Sequence, residues 1–362
     1  MAYISPKRYP LRMPRGEYLQ YGGQAVVEGV MMRSPRFFSV ACRAPNGQIV
    51  VQTEAIEKTW IGKLKWLKYP FLRGSLALID SMALGSRALK FASNIQLDPA
   101  YEKKLEVTGE VNASDAAVST EPVAPSQPIQ SGAIALTLAV SFVIGMGIFV
   151  YLPNLIAEWT QRAGKHTNGI RINLISEVIK VFIFFGYIAL LGTMKDIREI
   201  FKYHGAEHKA INTLEAEQPL ELDYCFKQTR LHPRCGTSFA IIVLIIGLIT
   251  FTFVPRYPVT GHQGTMFVDL GVRVLLEIMI LPVIAGISYE LLRIAGKFRN
   301  QSIINFFFKP GLWSQLLTTR EPDEHQIEVS LEALKAVMKA EESGHVDPVQ
   351  PTIIEPTIAV PA

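Results

Sequence analysis

The chain has 362 residues, 49% of them hydrophobic, with 36 Lys and Arg against 32 Asp and Glu and a formal net charge of +4. Its positive mean hydropathy of +0.22 points to lipid as the solvent for much of it, and so small a basic excess excludes a charge-driven nucleic-acid binder. The cysteines are an odd set, Cys42, Cys225 and Cys235, which in a reducing compartment argues for free thiols or metal ligands over disulfides.

The opening stretch, "MAYISPKRYPLRMPRGEY", carries Lys7, Arg8, Arg12 and Arg15 with no apolar run behind them, so it is not expected to be a secretory signal peptide. Residues 1–57 read as a tail followed by a small β unit. "QAVVEGVMM" and "FFSVACRAP" have strand composition, and Asn46-Gly47 ahead of "IVVQTEAI" is the strongest short-range hairpin cue. Gly22, Gly23 and Gly29 lack the spacing of a phosphate-cradling loop and are expected to permit tight turns and close backbone approach. Glu28 falls within the first apolar strand, where burial demands a partner, Arg33 or a bound metal; a solvated strand face is the plainer alternative.

Residues 58–97 change to helical spacing, with Trp60, Trp66, Phe71 and many Leu interrupted by Lys, Arg and Asp80. They read as amphipathic helices lying in a membrane interface, or as helices packed on the β unit. Residues 98–130, rich in Pro, Ser, Ala and Glu, read as a flexible linker. Four stretches, about 132–157, 174–194, 237–254 and 268–292, approach the roughly 20 apolar residues that a bilayer crossing takes. They predict an α-helical polytopic membrane protein with four transmembrane helices, in a domain covering 131–295.

Lys and Arg accumulate on the cytoplasmic side of such spans. The connection 195–236 holds Lys195, Arg198, Lys202, Lys209, Lys227, Arg230 and Arg234, whereas 158–173 holds Arg162, Lys165 and Arg171 and 255–267 only Arg256. With further Lys and Arg before the first span and after the last, both termini and the 195–236 connection are expected in the cytoplasm. Residues 296–342 read as a C-terminal cytoplasmic segment, in which "FFFKPGLWSQLL" opens as a membrane-edge apolar patch and an amphipathic helix follows from about Asp323, behind Pro322. Residues 343–362 are expected to be a disordered tail.

The densest chemistry is "KYHGAEHKAI", residues 202–211. On a helix His204 and His208 share one face and Glu207 lies beside them. His-x-x-Glu-His is the inverted zincin order, in which two imidazoles bind zinc and the carboxylate activates a water. "LHPRCGTSF" adds His232 and Cys235, completing a His3Cys set with Cys225 in reserve. A closed set of four is structural, whereas three ligands leave the open position that catalysis needs. A downstream carboxylate is the other candidate ligand; Glu290, on the cytoplasmic end of the last span, is preferred to Glu277, which is expected to pair with Arg273. Against all this stands an exposed helix face on which Glu207 merely pairs with Lys202 or Lys209.

"YGGQAVVEGVMMRSP", "FKYHGAEHKAIN", "RLHPRCGTSF" and "PGLWSQLLTTREPDEHQIEVSL" resemble the hallmark blocks of the YqhQ-like bacterial membrane proteins, from about Tyr18 to Leu331. That resemblance implies a multi-pass protein of the bacterial cell membrane, with a domain of unknown function described as a metal-dependent enzyme. His204, Glu207, His208, His232 and Cys235 stand at its motif positions. The leading expectation is a zinc-dependent, membrane-embedded hydrolase with Glu207 as general base, acting on a peptide, lipid or amphiphile at the cytoplasmic interface. The alternative is a scaffold or a membrane-protein assembly and insertion factor, contacting the bilayer and a membrane-protein partner, in which the same residues form a structural metal site or a hydrogen-bonded clamp. A transporter is a third reading, held open by Asp269, Glu277 and Glu290.

Overall fold

The computed structural model describes residues 21–56, 69–71, 73–102, 131–164, 168–256, 266–297, 302–346 and 351–358. Four N-terminal strands, β1 (Gly22–Val26), β2 (Gly29–Arg33), β3 (Phe37–Arg43) and β4 (Ile49–Ala55), form an antiparallel meander. The expected hairpin joins β3 to β4. Gly47 sits at φ 91°, where a side chain would clash, and the Asn46 side chain accepts the Gln48 N–H at 3.0 Å.

Two expectations for this sheet need correction. "QAVVEGVMM" is two strands, reversing at Val27 and Glu28 with Val26 opposite Gly29; Glu28 turns the chain at φ 49°, so it lies on no strand. The C-terminal tail is not wholly irregular either: β5 (Thr352–Ile354) pairs with β4, Ile49 opposite Ile354, and extends the sheet to five strands.

Both faces of the sheet are covered, which is why β3 is buried along its whole length. Val30, Met32, Phe37 and Ala41 pack against α5 (Lys195–Glu215) and α10 (Glu324–Ser343). Met31, Phe38, Val40 and Cys42 pack against Leu84, Ala88 and Ala92 of α1 (Arg73–Leu97). Ser39 places its hydroxyl on the Ala333 carbonyl, and buried Arg43 donates to Glu328 at 2.9 Å and to the His325 carbonyl at 3.0 Å. Helix α10 begins where expected: Asp323 and Gln326 form a reciprocal capping box, and Gly344 ends the helix at φ 68°.

Helix α1 continues off the sheet, and its first turn packs on the last apolar helix, Gly74 lying against Tyr289 and Gly286. Packing on the sheet, one of the two alternatives for this stretch, is what its second half does; residues 57–68, the rest of the stretch up to Tyr69, lie outside the described residues, as do 103–130 of the linker.

Among the described residues, four helices are long and apolar enough to cross a membrane: Ala139–Thr160, Gly169–Leu191, Gly236–Phe253 and Val268–Ile294. The first is α2 (Ser131–Met146) and α3 (Leu152–Gly164) joined through a π-helical turn, Gly147–Tyr151; the others are α4, α7 and, within Met266–Lys297, α8. Their outward residues are apolar and exposed, Phe182, Val143 and Phe253 among them. Their interior is charged. Arg273 pairs with Glu277 at 3.1 Å, as expected, but Lys180 also bridges Glu277 at 2.6 Å and Glu177 at 2.7 Å, while Asn154 joins Glu277 to Arg256. Short α6 (Leu222–Phe226) and then α9 (Ser302–Thr318) complete the described helices.

Candidate metal centre

Helix α4 stops at Gly192 and α5 starts three residues on, so the motif is carried from the end of an apolar helix straight onto the sheet unit. The spacing of four stacks the His204 and His208 rings on one face, centroids 4.4 Å apart. Each ring is fixed through its other nitrogen. The Nδ1–H of His204 donates to the Thr318 carbonyl at 2.9 Å and that of His208 to the Arg230 carbonyl at 2.6 Å. A carbonyl can only accept, so both rings carry the proton on Nδ1 and keep the lone pair on Nε2. Metal-binding histidines are oriented in this way.

Cys235 comes from the other end of the connection, as the N-cap of α7 (Gly236–Phe253), with the Thr237 N–H on its sulfur at 3.4 Å. A helix N-terminus is electrostatically suited to an anionic sulfur. Its Sγ lies 3.1 Å from His204 Nε2, and the donor atoms of His204, His208 and Cys235 all lie within 4.8 Å of one another. A tetrahedral zinc ion, with bonds of about 2.0–2.1 Å to nitrogen and 2.3 Å to sulfur, sets such donors roughly 3.3–3.6 Å apart. The fit is tested by one atom: His208 Nε2 is buried with no hydrogen-bond partner. A lone pair withdrawn from water without a donor is costly, and a cation between the three donors satisfies it.

Glu207 is buried beside them, a carboxylate oxygen 4.0 Å from His204 Nε2. Burial raises its pKa above the ordinary carboxylate range, opposed by the nearness of His204 and by a hydrogen bond from the Gly23 N–H. A Cβ on Gly23 would fall 2.8 Å from Glu207 Cγ and 2.6 Å from the Met31 carbonyl. Strand β1 can close over the carboxylate only because residue 23 has no side chain. The "YGGQ" stretch thus forms one wall of the centre.

A model of the family described as "Protein of unknown function (DUF1385)" matches residues 69–340. The chain belongs to this family. It is 34% identical over 323 residues, 89% of the chain and 93% of the relative, to the "Uncharacterized protein YqhQ" of Bacillus subtilis (strain 168). No solved structure matches it. All three donors lie inside the DUF1385 segment, and Gly23 lies ahead of it.

The remaining sequence candidates are engaged elsewhere. His232 stands beside the centre, its ring centroid 5.7 Å from that of His208, but its Nε2–H donates to Glu215 at 3.0 Å, so it is not brought into the donor group. Burial lowers the His232 pKa, opposed by Glu215. Burial alone would raise the Glu215 carboxyl; His232 and Arg234 outweigh it and hold the pKa down to about 2. Glu290, expected as a downstream ligand, is instead taken by Arg73, Oε2 to Nη2 2.5 Å and Oε1 to Nε 2.6 Å, because the start of α1 runs along α8. Buried Cys225 is outside the group, its thiol pushed up to about 11 by burial although Thr213 and Lys209 pull it down. Glu28 meets neither Arg33 nor a metal ligand set; it accepts the Tyr203 hydroxyl at 3.2 Å.

Sequence reasoning missed the carbonyls of Thr318 and Arg230, which no side-chain motif reveals. It also missed Gln315, which holds the His232 backbone on both sides, accepting its N–H at 2.8 Å and donating to its carbonyl at 2.6 Å. The signal for Gln315 was a lone amide in the apolar "FFFKPGLWSQLL".

Proposed function

We propose that this is an integral protein of the bacterial cell membrane, crossing it four times with both termini in the cytoplasm, and that it is a zinc-dependent hydrolase. His204 Nε2, His208 Nε2 and Cys235 Sγ hold the ion, and Glu207 is the general base. The observation that carries this reading is the orphaned, buried Nε2 of His208, within 4.8 Å of two other donors and beside a buried carboxylate. The apolar helices and the Lys- and Arg-rich 195–236 connection support the orientation.

Bound zinc supplies Lewis acidity toward a water and toward the substrate oxygen. Three protein donors leave a fourth position for that chemistry. Glu207, its proton affinity raised by burial, takes the proton from the attacking water and returns it to the leaving group. The Thr318 and Arg230 carbonyls keep both imidazoles in the ligating tautomer throughout, and the Thr237 N–H faces the cysteine sulfur.

A second reading has its own support: the donors come from α5 and from the N-cap of α7, and α9 anchors His204, so a metal here also clamps the sheet unit to the apolar helices. Metal analysis of protein purified in mild detergent without chelator separates these outcomes. One equivalent of zinc, lost in a His204→Ala, His208→Ala double variant, is expected; zinc absent from the native protein ends both readings. Glu207→Gln that keeps zinc and loses hydrolysis of an ester or amide substrate supports catalysis. A Glu207→Gln variant that keeps both zinc and every measured activity leaves the clamp.

A further inference from the structure

Helix α9 is amphipathic the wrong way round for a helix in water. Its exposed residues recur at helical spacing, Phe306, Lys309, Trp313 and Leu316, and the three apolar ones are 65%, 62% and 46% exposed. Among its described residues the buried side chains are polar: Ser314, Gln315 and Thr318. A surface helix of a soluble protein places these groups oppositely.

Each of these three polar side chains is hydrogen-bonded within the protein. Ser314 bonds the Gly311 carbonyl at 2.7 Å, Thr318 the Ser314 carbonyl at 3.5 Å, and Gln315 reaches Ser238 of α7 at 2.9 Å as well as the His232 backbone. Gly311 lies so close to α7 that a Cβ would come 3.0 Å from that of Ser238. Close approach at small residues, interhelical amide bonds and hydroxyls turned back onto their own helix are how helices pack in lipid.

Topology then fixes how the helix lies. Four residues separate Lys297, at the cytoplasmic end of α8, from Ser302, a reach of at most about 18 Å. At its other end the Thr318 carbonyl holds His204, and the Arg320 N–H bonds the Phe201 carbonyl at 2.9 Å. Both ends of α9 are therefore on the side of the sheet unit, and its 17 residues, roughly 25 Å long, enter and leave by the same face.

We infer that α9 is a fifth membrane-embedded helix, lying in the cytoplasmic leaflet without crossing it. Its Phe306, Trp313 and Leu316 edge contacts acyl chains at the headgroup boundary, with Lys309 reaching to the phosphates. This rests on the membrane reading above, and it makes the helix that anchors His204 a lipid-contacting one.

The test uses tryptophan as a depth probe. Trp60→Phe, Trp66→Phe and Trp159→Phe leave Trp313 as the single emitter of the four tryptophans. A matched protein keeps only Trp159, which is 67% exposed within the first apolar segment. Both are reconstituted in phosphatidylcholine and phosphatidylglycerol vesicles containing acyl-brominated phosphatidylcholine. Trp313 is expected to lose most of its emission to the brominated chains and little to aqueous iodide. Quenching of Trp313 by iodide alone, with Trp159 quenched by bromine, overturns the inference and leaves the membrane reading standing; failure of both tryptophans to sense bromine overturns the membrane reading itself. Should the triple variants not fold, the native protein in nanodiscs with an acyl-chain photo-crosslinker gives the same decision. Adducts on residues 302–318 support the inference, and adducts confined to the four spans refute it.

Discussion

Zinc addition to the metal-free protein is expected to raise its thermal midpoint, and the size of the rise follows from the site. The donors already lie within 4.8 Å of one another, so closing the widest pair on a tetrahedral ion moves it by at most roughly 1.5 Å, within the reach of side-chain adjustment. With free zinc at about 100 times Kd, selective binding to the folded state contributes about 2.7 kcal/mol. At about 2–4 °C per kcal/mol for a chain of this order of size, the midpoint rises by roughly 5–10 °C. The assay is a thermal scan in detergent, with and without zinc, on the native protein, His208→Ala and Glu207→Gln. His208→Ala removes one of three donors and should abolish the shift. Glu207→Gln should retain it, since its carboxylate is 4.0 Å from His204 Nε2 and outside the donor group. A shift of equal size in His208→Ala would refute the reasoning, because the zinc would then be binding elsewhere.

The metal-free Glu207→Gln variant should be at least as stable as the native protein at neutral pH. The folded-state pKa of Glu207 is raised by burial, so the native protein loses stability as pH rises from the unfolded value of 4.5 through the folded one, and Gln removes that dependence; denaturant titrations at pH 4 and pH 8 read the difference. Glu215 behaves in the opposite sense. Its pKa falls from 4.5 to about 2 in a side chain only 9% exposed, a contribution of the order of 3 kcal/mol, present above about pH 4.5 and lost as pH falls toward 2. Glu215→Gln should flatten that acid limb in a pH series of unfolding curves. In the sheet unit, Arg43→Ala takes the charged partner from Glu328, whose side chain is 7% exposed and keeps the Thr357 N–H at 2.6 Å, and should cost about 3–5 kcal/mol in a denaturant titration, whereas Arg43→Met with Glu328→Leu should cost much less.

Local signals carried the reading wherever the cause was local. Asn46-Gly47 marked the hairpin, Asp323 behind Pro322 marked the start of α10, and the i, i+4 spacing of His204 and His208 placed two donors on one face of α5. Long-range pairings were not legible. Nothing near Glu290 announced Arg73, some 217 positions earlier, and β5 is too short and too distant from β4 to be read as its neighbour. His232 looked like a ligand because its loop carries Cys235 into the centre; Glu215 takes its Nε2, about two turns beyond His208 on the same helix. Glu28 was misplaced because residues other than Gly, Asn and Asp are seldom used at positive φ. The charged interior of the apolar helices showed only its one local pair, Arg273 and Glu277, since Lys180, Asn154 and Arg256 join it from three other segments.

The sheet unit is assembled from both ends of the chain, and this sets an order for its biosynthesis. Strands β1–β4 leave the ribosome long before α10, which covers Val30, Met32 and Phe37. At about 5–20 residues per second the delay is roughly 15–55 s, and the apolar helices are made within that interval. A nascent chain therefore holds part of one apolar sheet face uncovered while its apolar helices are still being made, and a product truncated ahead of α10 keeps that surface exposed to water.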